Sequence, residues 1–144
     1  MSKRKIGWIG AGKMGLPICR RLKAAGHDVT VLARRPAQAE ALAAQGFACA
    51  GTIASTVSDA DAVFTAVTDD KALSDVVLES GFAPALSASA IFVDISTVSP
   101  AISARIASHL PKANAYLRSP VSGSTGMAEA GTLTALVSGP RPAF

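Results

Sequence analysis

Short apolar runs alternate along the chain with longer segments in which apolar residues recur every three or four positions. The short runs predict strands at residues 6–9, 29–33, 47–50, 62–67, 90–94, 115–117 and 133–137, of which 6–9, 29–33 and 90–94 are expected to be buried. The periodic segments predict helices at residues 13–25, 36–44, 52–58, 72–78 and 100–110, with a connector or a brief helix at 81–87. Strands that alternate with helices are typical of a doubly wound, mostly parallel sheet of the α/β class.

A glycine-rich turn joins the first predicted strand to the first helix. It has the pattern G-x-G-x-x-G and consists of Gly10, Ala11, Gly12, Lys13, Met14 and Gly15. The first glycine of this pattern makes a tight turn, the second lets phosphates approach the backbone, and the third lets the helix pack on the sheet. The helix N-terminus adds free N–H groups and a partial positive charge. The turn therefore predicts a pyrophosphate site that Lys13 can approach.

Two arginines follow the second predicted strand. In a dinucleotide site, an Asp or Glu at this point bonds the ribose hydroxyls and would repel a 2′-phosphate. Here the strand is followed by Arg34 and Arg35, and the next carboxylate is Glu40. Because the guanidinium fork matches a phosphate, the pair predicts NADP, with NAD less expected. A solvated arginine pair at a strand end is the alternative.

Composition narrows the function classes further. The net charge is +4, but no aromatic residues interleave with the basic ones, so a small anion explains the charge and no nucleic-acid partner is expected. Cys19 and Cys49 have neither disulfide-framework nor metal spacing, and we expect no metal. No apolar run approaches the ~18 residues of a membrane span, and none resembles a signal peptide. We expect one cytoplasmic domain over residues 1–144 that has no contact with a membrane.

Four ordered segments of the sequence resemble the β-hydroxyacid dehydrogenase family, which includes 3-hydroxyisobutyrate dehydrogenase and tartronate semialdehyde reductase. The segments are GWIGAGKMGLP at 7–17, VLARRP at 31–36, VDISTVSP at 93–100 and SPVSGS at 119–124. The resemblance implies a Rossmann-type domain, like the NAD-binding domain of 6-phosphogluconate dehydrogenase. It also implies a short β-hydroxy acid as substrate and a homo-oligomeric full-length enzyme.

The resemblance also implies roles for particular residues. Val67 and Thr68 correspond to the loop over the ribose, and Thr97 to the contact on the nicotinamide side. Ser122 and Gly123 correspond to the pair that binds the substrate carboxylate. All of these residues lie near the carboxyl ends of predicted strands, where open α/β sheets bind ligands.

The chain departs from the family pattern in several places. Arg118 and Ser119 stand where the family has Asp-Ala, and Ser124 replaces a glycine. Arg118 could alter the preferred acid or could point into solvent. In the family a helical second domain carries the catalytic lysine, whereas the last lysine here is Lys112.

Because hydride transfer needs a group that moves the hydroxyl proton, we expect no catalytic residue in this chain and a lysine beyond Phe144 of a longer enzyme. The alternatives are a non-catalytic NADP-binding or dimerisation module and an imine reductase relative. Ser-Pro-Val-Ser-Gly is not expected in an imine reductase. Trp8, within the first strand, is interpreted as a packing residue.

Overall fold

The computed structural model describes residues 2–144, and within them six parallel strands form the central sheet. In chain order the strands are β1 (Lys5–Ile9), β2 (Asp28–Leu32), β3 (Ala48–Ala50), β4 (Ala62–Thr65), β5 (Ile91–Asp94) and β6 (Tyr116–Arg118). Their order in the sheet is β3-β2-β1-β4-β5-β6. The predicted doubly wound parallel sheet is confirmed. The direction of winding reverses between β1 and β4, which is where such sheets bind ligands.

Seven α-helices lie between the strands in the described part of the chain. They are α1 (Gly15–Ala24), α2 (Pro36–Ala43), α3 (Ile53–Val57), α4 (Asp70–Val77), α5 (Phe82–Ala85), α6 (Pro100–His109) and α7 (Thr125–Ala130). Side-chain caps fix several starts: the oxygens of Thr52, Asp69 and Ser99 accept hydrogen bonds from N–H groups in the first turns of α3, α4 and α6. The segment predicted as a connector or brief helix contains α5.

The core lies in two clusters because alternate residues of a strand face opposite sides of the sheet. Ile6 and Trp8 belong to the cluster that includes Val29 and Val31, whereas Ile9 belongs to the cluster beneath α3 to α6. Gly7 allows α3 to approach β1 closely, since a Cβ there would lie 2.5 Å from the Thr56 carbonyl oxygen. Apolar strands covered by helices on both faces explain the continuous apolar runs in the sequence.

The last predicted strand, residues 133–137, is shorter in the structure and lies outside the main sheet. The structure has only β8 (Thr134–Ala135) there, paired antiparallel with β7 (Val121–Ser122) in a separate two-stranded sheet. Leu136 and Val137, which end the predicted strand, are 65% and 43% exposed. Helix α7 was not predicted, because six residues make fewer than two turns and show little periodicity. A hydrogen bond from Arg21 to the carbonyl of Glu129 joins it to α1.

Candidate functional site

An open cleft of about 350 Å³ lies at the carboxyl ends of β1, β4 and β5, at the point where the winding reverses. Three loops and the start of β7 line it. The lining residues are Gly10, Gly12, Lys13, Met14, Gly15, Ala66, Val67, Thr68, Ile95, Ser96, Thr97 and Val121. The structure thus brings together all the predicted cofactor residues except Ala11, Arg34 and Arg35.

The glycine turn has a different steric requirement at each glycine. Gly10 has a φ of +97°, and a Cβ there would lie 2.0 Å from the carbonyl oxygen of Ala66. At Gly15 a Cβ would lie 2.2 Å from the carbonyl oxygen of Gly10, so α1 can start only with glycine at this position. Gly12 has no atom within 4 Å of its ideal Cβ position and faces open space. Gly10 and Gly15 therefore serve the turn itself, and Gly12 leaves room for a ligand.

The turn also presents unused backbone donors. Among the described residues, the N–H groups of Ala11, Gly12 and Lys13 have no hydrogen-bond acceptor within the chain. They precede the first helical residue, Gly15, whose helix has no acidic residue in its first turn. Free N–H groups at a helix N-terminus, together with the exposed ammonium-bearing Lys13, suit an anion.

Two further loops, after β4 and β5, are hydrogen-bonded to each other. The hydroxyl oxygen of Ser96 accepts a bond from the Val67 N–H at 2.9 Å, and the Ser96 N–H donates to Asp94 at 3.1 Å. Ser96 is 4% exposed, whereas its neighbour Thr97 is exposed. Ser96 was not predicted as a site residue. Its position between Asp94 and Thr97 at a strand end was the available signal.

Asp70, the first residue of α4, joins the same loops from the other side. Its carboxylate accepts the Ser99 N–H at 2.8 Å and the Ser99 hydroxyl at 2.5 Å. These bonds, first the hydroxyl and then the backbone one, hold the pKa of Asp70 below its ordinary value, and the positive charge of Arg118 adds to the effect. Asp70 was not predicted as a site residue.

Arg34 and Arg35 lie at the carboxyl end of β2, next to β1 in the sheet, and do not line the cleft. Both side chains are exposed, and within residues 2–144 neither forms an ion pair or a side-chain hydrogen bond. Arg35 precedes α2 in an extended conformation. Two guanidinium groups without protein partners therefore stand beside the strand that ends in the glycine turn.

The predicted substrate pair follows a cleft residue in the chain but does not itself line the cleft. Val121 lines the cleft, and Ser122 and Gly123 follow it as exposed residues. Gly123 has a φ of +141°, and a Cβ there would lie 2.7 Å from Leu133, so glycine is required at this position. Ser122 belongs to β7. The hydroxyl of Ser124, which replaces a family glycine, caps α7 by accepting the Met127 N–H at 3.2 Å.

Arg118 does not point into solvent. It is half-buried, and its Nη2 donates to the Val98 carbonyl oxygen at 3.1 Å, which ties it to the loop that contains Thr97. Its Nε is buried and has no acceptor in the described part of the chain. Since Arg118 does not line the cleft, its direct contact is with the loop and not with the predicted substrate residues.

The fold and this site define a dinucleotide-binding domain of the doubly wound α/β class. The sequence profile described as the NAD binding domain of 6-phosphogluconate dehydrogenase matches residues 5–144, and the chain belongs to this family. The chain is therefore an NAD(P)-binding domain of the type found in oxidoreductases.

Known proteins resemble the chain over nearly its whole length. An uncharacterized oxidoreductase of Shewanella frigidimarina is 40% identical over 146 residues, which cover 97% of this chain and 49% of that protein. The structure of Mycobacterium tuberculosis 3-hydroxyisobutyrate dehydrogenase with L-serine is 29% identical, with a TM-score of 0.86, and the match covers 99% of this chain and 48% of that one.

A third match, the structure of Psf3 in complex with NADP⁺ and 2-OPP, is 33% identical with a TM-score of 0.87 and covers 96% of this chain and 50% of that one. The chain spans about half the length of these relatives.

No helix within residues 2–144 is both long and apolar enough to cross a membrane. Within the same range, no three or more His, Cys, Asp or Glu side chains come together in a group that could hold a metal ion.

Proposed function

We propose that this chain is the NADP-binding domain of an oxidoreductase that transfers a hydride between the nicotinamide and a short β-hydroxy acid. One observation carries the proposal. The glycine turn with its free N–H groups lies at the β1/β4 reversal, and the unpaired Arg34 and Arg35 end the neighbouring strand β2. A pyrophosphate on the turn would direct the adenosine ribose toward the end of β2, as in dinucleotide folds generally.

Charge at the end of β2 supports NADP over NAD. The strand ends without a carboxylate, and the two guanidinium groups can bind a 2′-phosphate through charge-assisted hydrogen bonds. Both are exposed and lack competing acidic partners among the described residues, so they are available to a ligand. The remaining cofactor contacts that we propose are the turn residues 10–15, Val67 and Thr68 at the ribose, and Thr97 toward the nicotinamide.

The substrate proposal depends on the residues that follow the cleft. Ser122 can donate its hydroxyl, and Gly123 its N–H, to a carboxylate beside the nicotinamide end. Their exposure next to Val121 supports this role. The bound nicotinamide would supply the hydride acceptor, and the chain's own residues would hold the acid in place.

Turnover needs a proton-transfer group that we do not assign to this chain. Lys13 lines the cleft, but at the glycine turn, and Lys112 lines a different cleft beside α6. We therefore propose that the chain binds cofactor without turnover, and that a lysine from a further segment completes the enzyme. A non-catalytic NADP-binding or dimerisation module is the second candidate, favoured by the same distribution of lysines. Homo-oligomer formation by the full-length enzyme is supported by the family resemblance, and the cytoplasmic location remains a prediction from the sequence.

Titration of the purified chain with NADPH and NADH tests the cofactor proposal. We expect a lower Kd for NADPH, measured by nicotinamide fluorescence. Equal affinities, or a preference for NADH, would refute the role of Arg34 and Arg35.

An assay of NADP⁺ reduction with 3-hydroxyisobutyrate tests the proton-transfer argument. We expect no turnover above the rate without protein, and measurable turnover would show that the chain contains its own proton-transfer group.

A further inference from the structure

Trp8 lies directly beneath the glycine turn. It is the sole tryptophan of the chain and is 0% exposed in the middle of the sheet. Its ring stacks on that of Phe64, with centroids 5.3 Å apart and planes at 15°. The indole Nε1–H donates to the carbonyl oxygen of Gly10 at 3.1 Å. The single polar atom of this buried side chain therefore forms a hydrogen bond with the first glycine of the turn.

This hydrogen bond fixes the orientation of one peptide plane. In a trans peptide the carbonyl and the following N–H point in opposite directions. Since the Gly10 carbonyl points inward to the indole, the N–H of Ala11 points away from the indole. That N–H has no acceptor within residues 2–144. It is the first of the free donors of the turn.

Gly15 packs against the same unit. A Cβ at Gly15 would lie 2.9 Å from the indole Nε1 and 2.2 Å from the Gly10 carbonyl oxygen. The indole, the Gly10 carbonyl and the start of α1 are thus in mutual contact. Rotation of the Gly10–Ala11 peptide would break this hydrogen bond and leave the buried indole N–H of Trp8 without an acceptor, which is unfavourable.

We propose that Trp8 is a positioning residue for the pyrophosphate site, because its indole N–H holds the Gly10–Ala11 peptide with the Ala11 N–H directed at the ligand. The inference rests on the proposed function, since it assigns the cleft to a dinucleotide. Packing alone requires an aromatic ring here, whereas positioning requires the N–H. A phenylalanine keeps the stacking surface for Phe64 and removes only the donor.

The test compares Trp8→Phe with Phe47→Leu, a substitution of a buried aromatic in the same core cluster but in the segment before β3. Four ligands are titrated: NADPH, NADH, inorganic pyrophosphate and adenosine 2′-monophosphate, which has the 2′-phosphate without the pyrophosphate. We expect Trp8→Phe to weaken the first three about five- to tenfold, the factor for one lost hydrogen bond, and to leave the fourth unchanged. Phe47→Leu should lower the melting temperature and leave all four affinities unchanged.

The inference is overturned if Trp8→Phe binds all four ligands as Phe47→Leu does, or if it loses affinity for the 2′-monophosphate to the same extent as for NADPH. Wild-type protein that binds neither dinucleotide would instead refute the proposed function.

A second measurement needs no variant. The sole indole N–H gives a single tryptophan signal in a ¹H–¹⁵N spectrum of the wild-type protein, and we expect it to shift with NADPH or pyrophosphate and not with adenosine 2′-monophosphate. An unchanged signal at saturating NADPH would contradict the inference even if Trp8→Phe did not fold.

Discussion

Thr65 and Asp94 are directly opposite each other on β4 and β5, and the threonine hydroxyl donates to the aspartate carboxylate at 2.8 Å. Both residues are 0% exposed. The same carboxylate oxygen accepts the Ser96 N–H, so the strand pair and the loop that lines the cleft share one buried acceptor. A buried carboxyl group that joins the strand pair to this loop couples the stability of the sheet to the shape of the cleft.

Thr65→Val should therefore weaken both folding and binding. The substitution keeps the branched shape and removes the donor to Asp94, so we expect a loss of about 1–3 kcal/mol in the free energy of unfolding and a higher Kd for NADPH. Chemical denaturation and fluorescence titration measure the two effects. Thr65→Ser, which keeps the hydroxyl, should bind NADPH with near wild-type affinity. If Thr65→Val is as stable as the wild type, the bond to Asp94 contributes nothing.

Gly12→Ala should separate binding from folding. Because the position faces open space, the new methyl group meets no protein atom and the melting temperature should stay within a few degrees of the wild type. The methyl group would occupy the space of the phosphates, so we expect at least a tenfold higher Kd for NADPH and NADH alike.

Gly10→Ala is the structural contrast to Gly12→Ala. It should unfold at a clearly lower temperature, because its Cβ would lie 2.0 Å from the Ala66 carbonyl oxygen. A Gly12→Ala protein with wild-type affinity would place the phosphates elsewhere.

Arg34→Asp should change cofactor choice. A carboxylate at this position repels a 2′-phosphate and can bond ribose hydroxyls, so we expect the Kd for NADPH to rise about tenfold or more while that for NADH changes little. Arg105→Asp, which makes the same charge change at an exposed position on α6, is the control for net charge and should alter neither Kd. Equal weakening of both cofactors by Arg34→Asp would mean that the arginine supports the fold instead.

Asp70→Asn should remove the pH-dependent stabilisation of the folded state that the Asp70 carboxylate provides through Ser99. The pKa of Asp70 is below its ordinary value of 3.8, chiefly because of the bonds from Ser99. Its contribution is therefore fully present above pH 3.8 and is lost as the pH falls through the lower pKa of the folded state. We expect the variant to melt at a lower temperature than the wild type at pH 7, and the difference to shrink at acid pH.

Asp75→Asn provides the control for Asp70→Asn on the same helix. Asp75 pairs with Lys71 at the surface, at 2.7 Å, and exposed pairs of this kind stabilise little. The melting temperature of Asp75→Asn should stay close to that of the wild-type protein across the pH range. If the difference between Asp70→Asn and the wild type were the same at pH 7 and at acid pH, the Asp70 carboxylate would have no role in holding the loops.

Short-range patterns in the sequence were sufficient to predict most strands of the main sheet and the helices between them. Continuous apolar runs marked β1 to β5, and proline or glycine at the ends of α1, α2 and α6 marked helix boundaries, because these residues act through backbone geometry alone. The same signals failed after residue 120. Residues 133–137 are apolar enough for a core strand, yet β8 pairs only with the two-residue β7, and Leu136 is exposed. Apolar content cannot distinguish a core strand from an exposed one.

Sequence alone determined the parallel α/β fold, the glycine turn and the arginines at the end of β2, since each depends on residues that are close together in the chain. Only the tertiary structure decided how the cleft is held. Asp70 meets Ser99, and Thr65 meets Asp94, across 29 positions in each case. The Trp8 indole reaches the Gly10 carbonyl because the turn folds back over the strand. Such contacts follow from the register of neighbouring strands and the packing of their loops, which no local pattern of residues specifies.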